Sequence, residues 1–76
     1  MDGVEKLVVG NKVLIKKGVE SISEEEYFMK KFPEDITGMV TMLFPEDNDL
    51  VRVHFMYDRT PYTLNYRLSD LVKIKK

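Results

Sequence analysis

The sequence contains no cysteine. Disulfide bonds and thiolate metal sites are therefore excluded, and the hydrophobic core must hold the fold by itself. No apolar segment approaches the ~20 residues that are needed to cross a bilayer. Residues 1–6 also lack the basic start and the apolar run of a secretory signal. We therefore expect a cytoplasmic protein without a membrane partner. Its length predicts one domain over residues 1–76, in which the strands and turns that form the fold cover about residues 10–75.

Residues that carry catalytic chemistry are scarce or scattered. His54 is the only histidine, and no serine or acid has an evident reason to lie beside it, as nucleophilic catalysis requires. The four glycines do not form a phosphate-binding loop. The acidic turn at residues 47–49 lacks the glycine and the final glutamate of a calcium loop. We therefore expect no enzymatic activity, cofactor, metal or small-molecule substrate, and a surface position for His54.

Charge is nearly balanced overall but unevenly placed along the chain. The formal net charge is −1. Between Glu20 and Asp49 there are nine acidic residues and two lysines, a net charge of −7, and the rest of the chain has a net charge of +6. Opposite charges on two parts of a small surface orient a partner electrostatically. Ordinary solubility is the alternative interpretation of the same pattern.

The stretch from residue 38 to residue 71 organises the predicted fold. Residues 50–57 alternate between apolar and polar side chains, the pattern of a half-buried strand. The inward set is Val51, Val53, Phe55 and Tyr57, and the outward set is Arg52, His54 and Met56. A second apolar run at residues 39–44 precedes this strand, and the turn-forming residues 45–49 between the two runs predict a hairpin.

Three further strands complete the predicted set. They cover residues 12–17, 62–67 and 72–76, with a turn at 58–61 and a single helical turn at 68–71. Val13 and Ile15 are expected to face inward, because they are β-branched and share one parity. Gly38 is expected to mark a bend at the start of the second strand. Residues 7–9 either add a short strand or cover the open end of the predicted barrel.

The connection at residues 19–37 is long for so small a fold. A capping box at residues 23–26 predicts a short helix over about residues 24–31. Phe28 and Phe32 lie four residues apart and are expected to fasten that helix to the sheet. An extended, mobile loop is the alternative.

This order of elements resembles the SH3-like small barrels, the group of SH3, KOW and Tudor-type domains. The matching segments are Gly10–Ile15, Gly38–Val40, Val51–Phe55 and Asn65–Val72. The nearest likeness is the barrel of photosystem I subunit IV and the ferredoxin–thioredoxin reductase variable chain. The resemblance implies an all-β, five-stranded barrel with a long first connection and a one-turn helix before the last strand. That connection is more acidic here, and the Arg-Pro-Glu-Ser-Tyr-Trp-like segment of the photosynthetic proteins is missing, so we carry over the architecture without ferredoxin docking.

A barrel of this size is filled by its own side chains, so its function must lie on its surface. We predict a non-enzymatic protein-interaction module or small accessory regulator, because the long acidic connection is not needed for stability. The predicted contact residues are Glu24, Glu25, Glu26, Tyr27, Tyr57, Arg59 and Tyr62. Tyrosine suits interfaces because it joins a large ring to a polar tip. Tyr57, Tyr62 and Tyr66 also share the inward parity, so we favour a core role for most of them over an interface role.

A nucleic acid is the alternative partner. If the first and last strands pair, outward basic residues form a ribbon that attracts phosphates through counterion release. The residues of this ribbon are Lys12, Lys16, Arg52, Lys73 and Lys75. Lysines also protect exposed strand edges from aggregation, which is the simpler explanation. A structural subunit of a larger complex is the third alternative.

Overall fold

The structure, a computed structural model, describes residues 7–23, 29–46 and 49–74. This part of the chain forms five β-strands and one short helix. They are β1 (Lys12–Ile15), β2 (Ile36–Phe44), β3 (Leu50–Tyr57), β4 (Thr60–Arg67), a 3₁₀ helix (Leu68–Asp70) and β5 (Leu71–Lys73). The prediction of a mostly β fold with a one-turn helix before the last strand is therefore confirmed.

The strands form one antiparallel sheet in the order β4-β3-β2-β1-β5. The first and last strands pair as expected, with Val13 opposite Lys73. The long strand β2 pairs with β1 through its first residues and with β3 through the remainder. The register between β2 and β3 shifts between Val40 and Met42, so Thr41 lies in a β-bulge, which increases the local bend.

Several strand boundaries differ from the sequence prediction. The first strand stops at Ile15, because a turn follows in which Val19 N donates to Lys16 O at 3.2 Å. The fourth strand begins at Thr60, so the turn before it has two residues rather than four. The last strand ends at Lys73, which is earlier than predicted. In contrast, β3 has the predicted bounds, because its alternation is uninterrupted.

The core lies on the inward face of the sheet. Its buried apolar residues are Leu7, Val13, Ile15, Phe32, Ile36, Val40, Val51, Val53, Phe55 and Tyr66. The predicted inward parity of β1 and β3 is confirmed, and His54 is exposed as expected. Of the residues predicted to cover the open end, Leu7 is buried, whereas Val8 and Val9 are exposed.

The first connection folds back on itself and onto the sheet. Gly18 N donates to Phe32 O at 2.9 Å, and Ser21 N donates to Lys30 O at 2.8 Å. The buried Ser21 hydroxyl accepts a further bond from Lys30 N at 2.9 Å. Ile22 N then donates to Asn65 O at 2.8 Å, which places the connection against the free edge of β4. These long-range bonds, rather than helical ones, order the ends of the connection.

The prediction of a helix over residues 24–31 is wrong at the C-terminal end of that range. Residues 29–31 are not helical, because Lys30 pairs with Ser21 instead of continuing a helical ladder. The remainder of that prediction, residues 24–28, lies outside the described residues.

The buried side chain of Tyr66 predicts a sensitivity to alkali. Its ring is 0% exposed, and its hydroxyl has no hydrogen-bond partner among the described residues. Burial raises the pKa of Tyr66 to about 12, whereas an unfolded tyrosine titrates near 10. As the pH rises between these two values, the unfolded state loses this proton and the folded state keeps it. The stability is therefore intact below about pH 10 and falls by about 1.4 kcal/mol at about pH 11.

The variant Tyr66→Phe tests this directly. It removes an unpaired buried hydroxyl, so we expect it to raise the free energy of unfolding at neutral pH by about 1 kcal/mol. It should also lack the part of the alkaline loss that Tyr66 contributes. Urea unfolding at pH 7 and at about pH 11 measures both effects, with Tyr62→Phe as the control at a half-buried position. Equal alkaline losses in the native chain and in Tyr66→Phe would contradict the assignment.

Candidate functional site

Four aromatic rings meet where the connection reaches the β3–β4 hairpin. The ring of Phe32 lies 5.4 Å from Phe55, 4.9 Å from Tyr57 and 5.2 Å from Tyr62, measured between centroids. Phe55 and Tyr62 stack at 5.6 Å. Phe32 therefore packs on the sheet as predicted, although it does so from a non-helical segment and not from the predicted helix, while Phe28 lies outside the described residues. Tyr57 and Tyr62 are half-buried, so each ring contributes to the packing and also faces solvent.

The exposed side of this cluster is acidic and aromatic. We define the tyrosine surface as Glu34, Tyr57, Asp58, Arg59 and Tyr62. The carboxylates of Glu34 and Asp58 both lie close enough to the Tyr57 hydroxyl to act on its pKa. Partial removal from water raises the pKa of Tyr57 first, and the charges of Glu34 and Asp58 raise it further. Like any tyrosine at neutral pH, Tyr57 presents a neutral ring, and here that ring lies beside two carboxylates.

The two-residue turn holds its side chains outward at a conformational cost. Asp58 and Arg59 have φ values of 52° and 65°, the left-handed region that a type I′ hairpin requires at both central positions. Glycine or asparagine is the usual choice there, since a longer side chain costs about 1 kcal/mol in this conformation. The tight turn keeps Arg59 exposed beside the pair Tyr57 and Thr60.

The predicted contact residues are only partly brought together. Tyr57, Arg59 and Tyr62 belong to one surface, as the paragraphs above describe. The other predicted contacts lie outside the described residues, namely Glu24, Glu25, Glu26 and Tyr27. Sequence reasoning missed Glu34 and Asp58. Asp58 directly follows Tyr57 in the chain, so the sequence alone could have indicated that the two residues are close. Glu34 comes near Tyr57 only through the fold of the connection.

The basic ribbon does not form as predicted. Lys73 lies directly opposite Val13, and directly opposed residues of antiparallel strands point to the same side of a sheet, so Lys73 shares the inward face. The predicted position of Lys73 beside Lys12 on the outer face is therefore wrong. Lys16 is exposed beyond the end of β1, and Lys75 lies outside the described residues.

Arg52 is held in place by neighbours on the outer face. It is half-buried, and its Nε donates to Asn65 Oδ1 at 3.2 Å. Its guanidinium also lies 5.1 Å from the centroid of the Phe44 ring, a cation–π geometry. The neighbouring His54 is joined to Thr63 by a hydrogen bond between Nδ1 and Oγ1 at 3.0 Å. These contacts give the outer face a fixed arrangement of polar side chains.

An open apolar cavity lies at the other end of β3, near the 3₁₀ helix. Its volume is about 240 Å³. The lining includes Leu7, Leu43, Phe44, Pro45, Leu50 and Leu68, and Asp49 is the ionisable residue among its described members. In the described ranges, no three potential metal ligands converge. The helices of the described residues are too short to span a bilayer.

The tyrosine surface therefore gathers a half-exposed aromatic pair, two carboxylates and a guanidinium at one end of the sheet. An arrangement of this kind can contact another molecule through the faces of its rings and through its charges. Comparison of the chain with protein-family models, with curated proteins and with solved structures found no match.

Proposed function

We propose that the chain is an SH3-like small barrel that acts as a non-enzymatic protein-interaction module. The antiparallel order, with the first and last strands adjacent, supports this architecture. So does the division of β2 between two strand partners on either side of Met39. The bond from Ile22 to Asn65 lets the connection cover the free edge of β4.

The partner that fits the tyrosine surface is a basic segment of another protein. The observation that carries this proposal is the placement of Tyr57 and Tyr62, half-exposed, beside the carboxylates of Glu34 and Asp58. A lysine or arginine side chain gains from the faces of such rings and from the nearby negative charge. The nucleic-acid alternative loses support, because the lysine ribbon that motivated it is split.

A peptide titration tests the proposal. The probe is a short peptide that alternates lysine with leucine, followed by amide NMR shifts of the labelled chain. We expect shifts centred on Tyr57, Asp58 and Tyr62. The charge reversal Glu34→Lys should weaken binding about tenfold, since it replaces attraction with repulsion beside the ring. The matched control Glu46→Lys reverses an exposed charge on the β2–β3 turn and should change affinity less than about twofold.

Two results would contradict the proposal. Equal weakening by Glu34→Lys and Glu46→Lys would show attraction to net charge only, without a defined surface. Shifts centred on other residues, or none at millimolar peptide, would remove the tyrosine surface as a site for basic segments.

A further inference from the structure

The charges of this protein are separated by element type. The five strands contain no aspartate or glutamate, and every described carboxylate lies in a connection or in the 3₁₀ helix. The strands carry four cations, which are Lys12, Arg52, Arg67 and Lys73. A solvated sheet usually mixes both signs on its outer face, because mixed charges keep a surface soluble without favouring one kind of partner. The strands themselves therefore carry positively charged side chains and no negatively charged ones.

The outward positions of β1, β2 and β3 form one continuous patch. We define the acid-free face as Lys12, Met39, Met42, Arg52, His54 and Met56. The register places Lys12 beside Met39, and Met39 is in turn beside His54. In the next row Met42 lies beside Arg52, shifted by the bulge at Thr41. Each methionine in these two rows is therefore adjacent to a basic or imidazole side chain.

The methionines of this face are more exposed than apolar side chains normally are. Met39 and Met42 are each 45% exposed, and Met56 is 60% exposed. Their neighbours of opposite parity, such as Val40 and Phe55, fill the core, so the sheet needs nothing from the methionines for its own packing. Methionine is flexible and polarisable, and it is used at surfaces that adapt to a bound segment. A group of three on one face therefore indicates a binding surface.

We propose that the acid-free face docks an acidic protein segment that carries apolar side chains between its carboxylates. Charge complementarity selects the carboxylates, because Lys12 and Arg52 are positively charged and the strands beside them carry no acid. The methionines then receive the apolar side chains. This site is separate from the tyrosine surface, which is acidic and selects the opposite charge.

A single-stranded nucleic acid fits this face less well. Such ligands bind by stacking their bases on exposed aromatic rings. Among the described strand residues, the phenylalanine that faces outward is Phe44, and the Arg52 guanidinium already lies over its ring at 5.1 Å. The large exposed apolar groups are instead methionines, whose thioether chains suit leucine or phenylalanine side chains of a peptide.

The test is a titration of the full chain with a short peptide that alternates pairs of glutamates with single leucines. Shifts of the methionine methyl groups report the site. We expect the signals of Met39, Met42 and Met56 to move and the affinity to fall about threefold or more when salt is raised. Lys12→Glu should weaken binding about fivefold, whereas Lys31→Glu, an exposed lysine of the connection, should change it less than about twofold.

The apolar contribution is tested at one position with its own control. Met56→Ser should weaken binding about fivefold, while Met56→Leu, which keeps the apolar surface, should stay within about twofold of the native chain. A peptide with serine in place of leucine should bind more weakly by a similar factor.

Three results would overturn the proposal. The first is native-like affinity in both Lys12→Glu and Met56→Ser. The second is tighter binding of an oligothymidine than of the acidic peptide at this face in physiological salt, which would make the partner a nucleic acid. The third is a concentration-dependent shift of the same methyl groups without peptide, which would show that a second copy covers the face. None of these results bears on the lysine–leucine peptide at the tyrosine surface.

Discussion

Replacing Phe32 with alanine is expected to lower the free energy of unfolding by about 3 to 4 kcal/mol. Phe32 is 8% exposed and contacts three other aromatic rings, so its removal leaves a cavity that rigid rings cannot fill. The Phe32 backbone carbonyl also accepts a hydrogen bond from the Gly18 amide, so Phe32 joins the beginning of the connection to its end. A domain of this size has a total stability of only about 4 to 11 kcal/mol, so one side chain accounts for a large fraction of it.

Urea unfolding followed by circular dichroism measures this loss. Because Phe32→Ala leaves little residual stability, Phe32→Leu provides a second value, for which we expect a loss of about 1 to 1.5 kcal/mol. Phe44→Ala is the matched control, since Phe44 is half-buried on the outer face and should cost less than about half as much. If Phe32→Ala and Phe44→Ala cost the same, Phe32 is not the residue that holds the connection.

The loss at Phe32 also links stability to the tyrosine surface. Glu34 follows Phe32 by two residues and acts on the pKa of Tyr57, whose ring lies 4.9 Å from that of Phe32. We therefore expect the position of this carboxylate beside the tyrosine to depend on the aromatic packing beneath it.

The strands were predictable from sequence because their signals are local. In β3 the residue type alone indicates whether a side chain faces the core or the solvent, since β-branched and aromatic side chains alternate with more polar ones without interruption. The buried Tyr66 and the half-buried Tyr62 follow from the same parity on β4. The one-turn helix at Leu68–Asp70 follows from a break in that alternation.

The connection was not predictable in the same way. A capping box is a local preference worth about 1 kcal/mol, whereas the described ends of the connection are fixed by bonds to distant residues. Ser21 pairs with Lys30, and Ile22 pairs with Asn65, more than forty positions further along the chain. The face of Lys73 likewise depends on its register against Val13, which neither strand specifies alone. Glu34 was missed for this reason, because no local pattern indicates its approach to Tyr57.

Gly38 is the position where a single methyl group should have the next largest effect. A Cβ at Gly38 would lie 2.5 Å from Val53 Cγ1, 3.0 Å from the His54 carbonyl oxygen and 3.2 Å from Phe55 Cβ. Val53 is 0% exposed and the carbonyl belongs to the β3 backbone, so neither neighbour can move aside without disturbing the sheet. Gly38 is therefore required by lack of space for a Cβ atom and not by its backbone dihedral angles. We expect Gly38→Ala to cost about 2 to 3 kcal/mol.

A double-mutant cycle separates this clash from a general cost of adding a methyl group. Val53→Ala removes the nearest atom, so the combined variant should be more stable by about 1 kcal/mol or more than the sum of the single losses implies. Gly18→Ala is the control, because Gly18 has a φ of 83° and open space around it, and its cost comes from the backbone. It should therefore add to Val53→Ala without coupling. If Gly38→Ala were as additive as Gly18→Ala, the close packing of β2 on β3 would not be what requires glycine at this position.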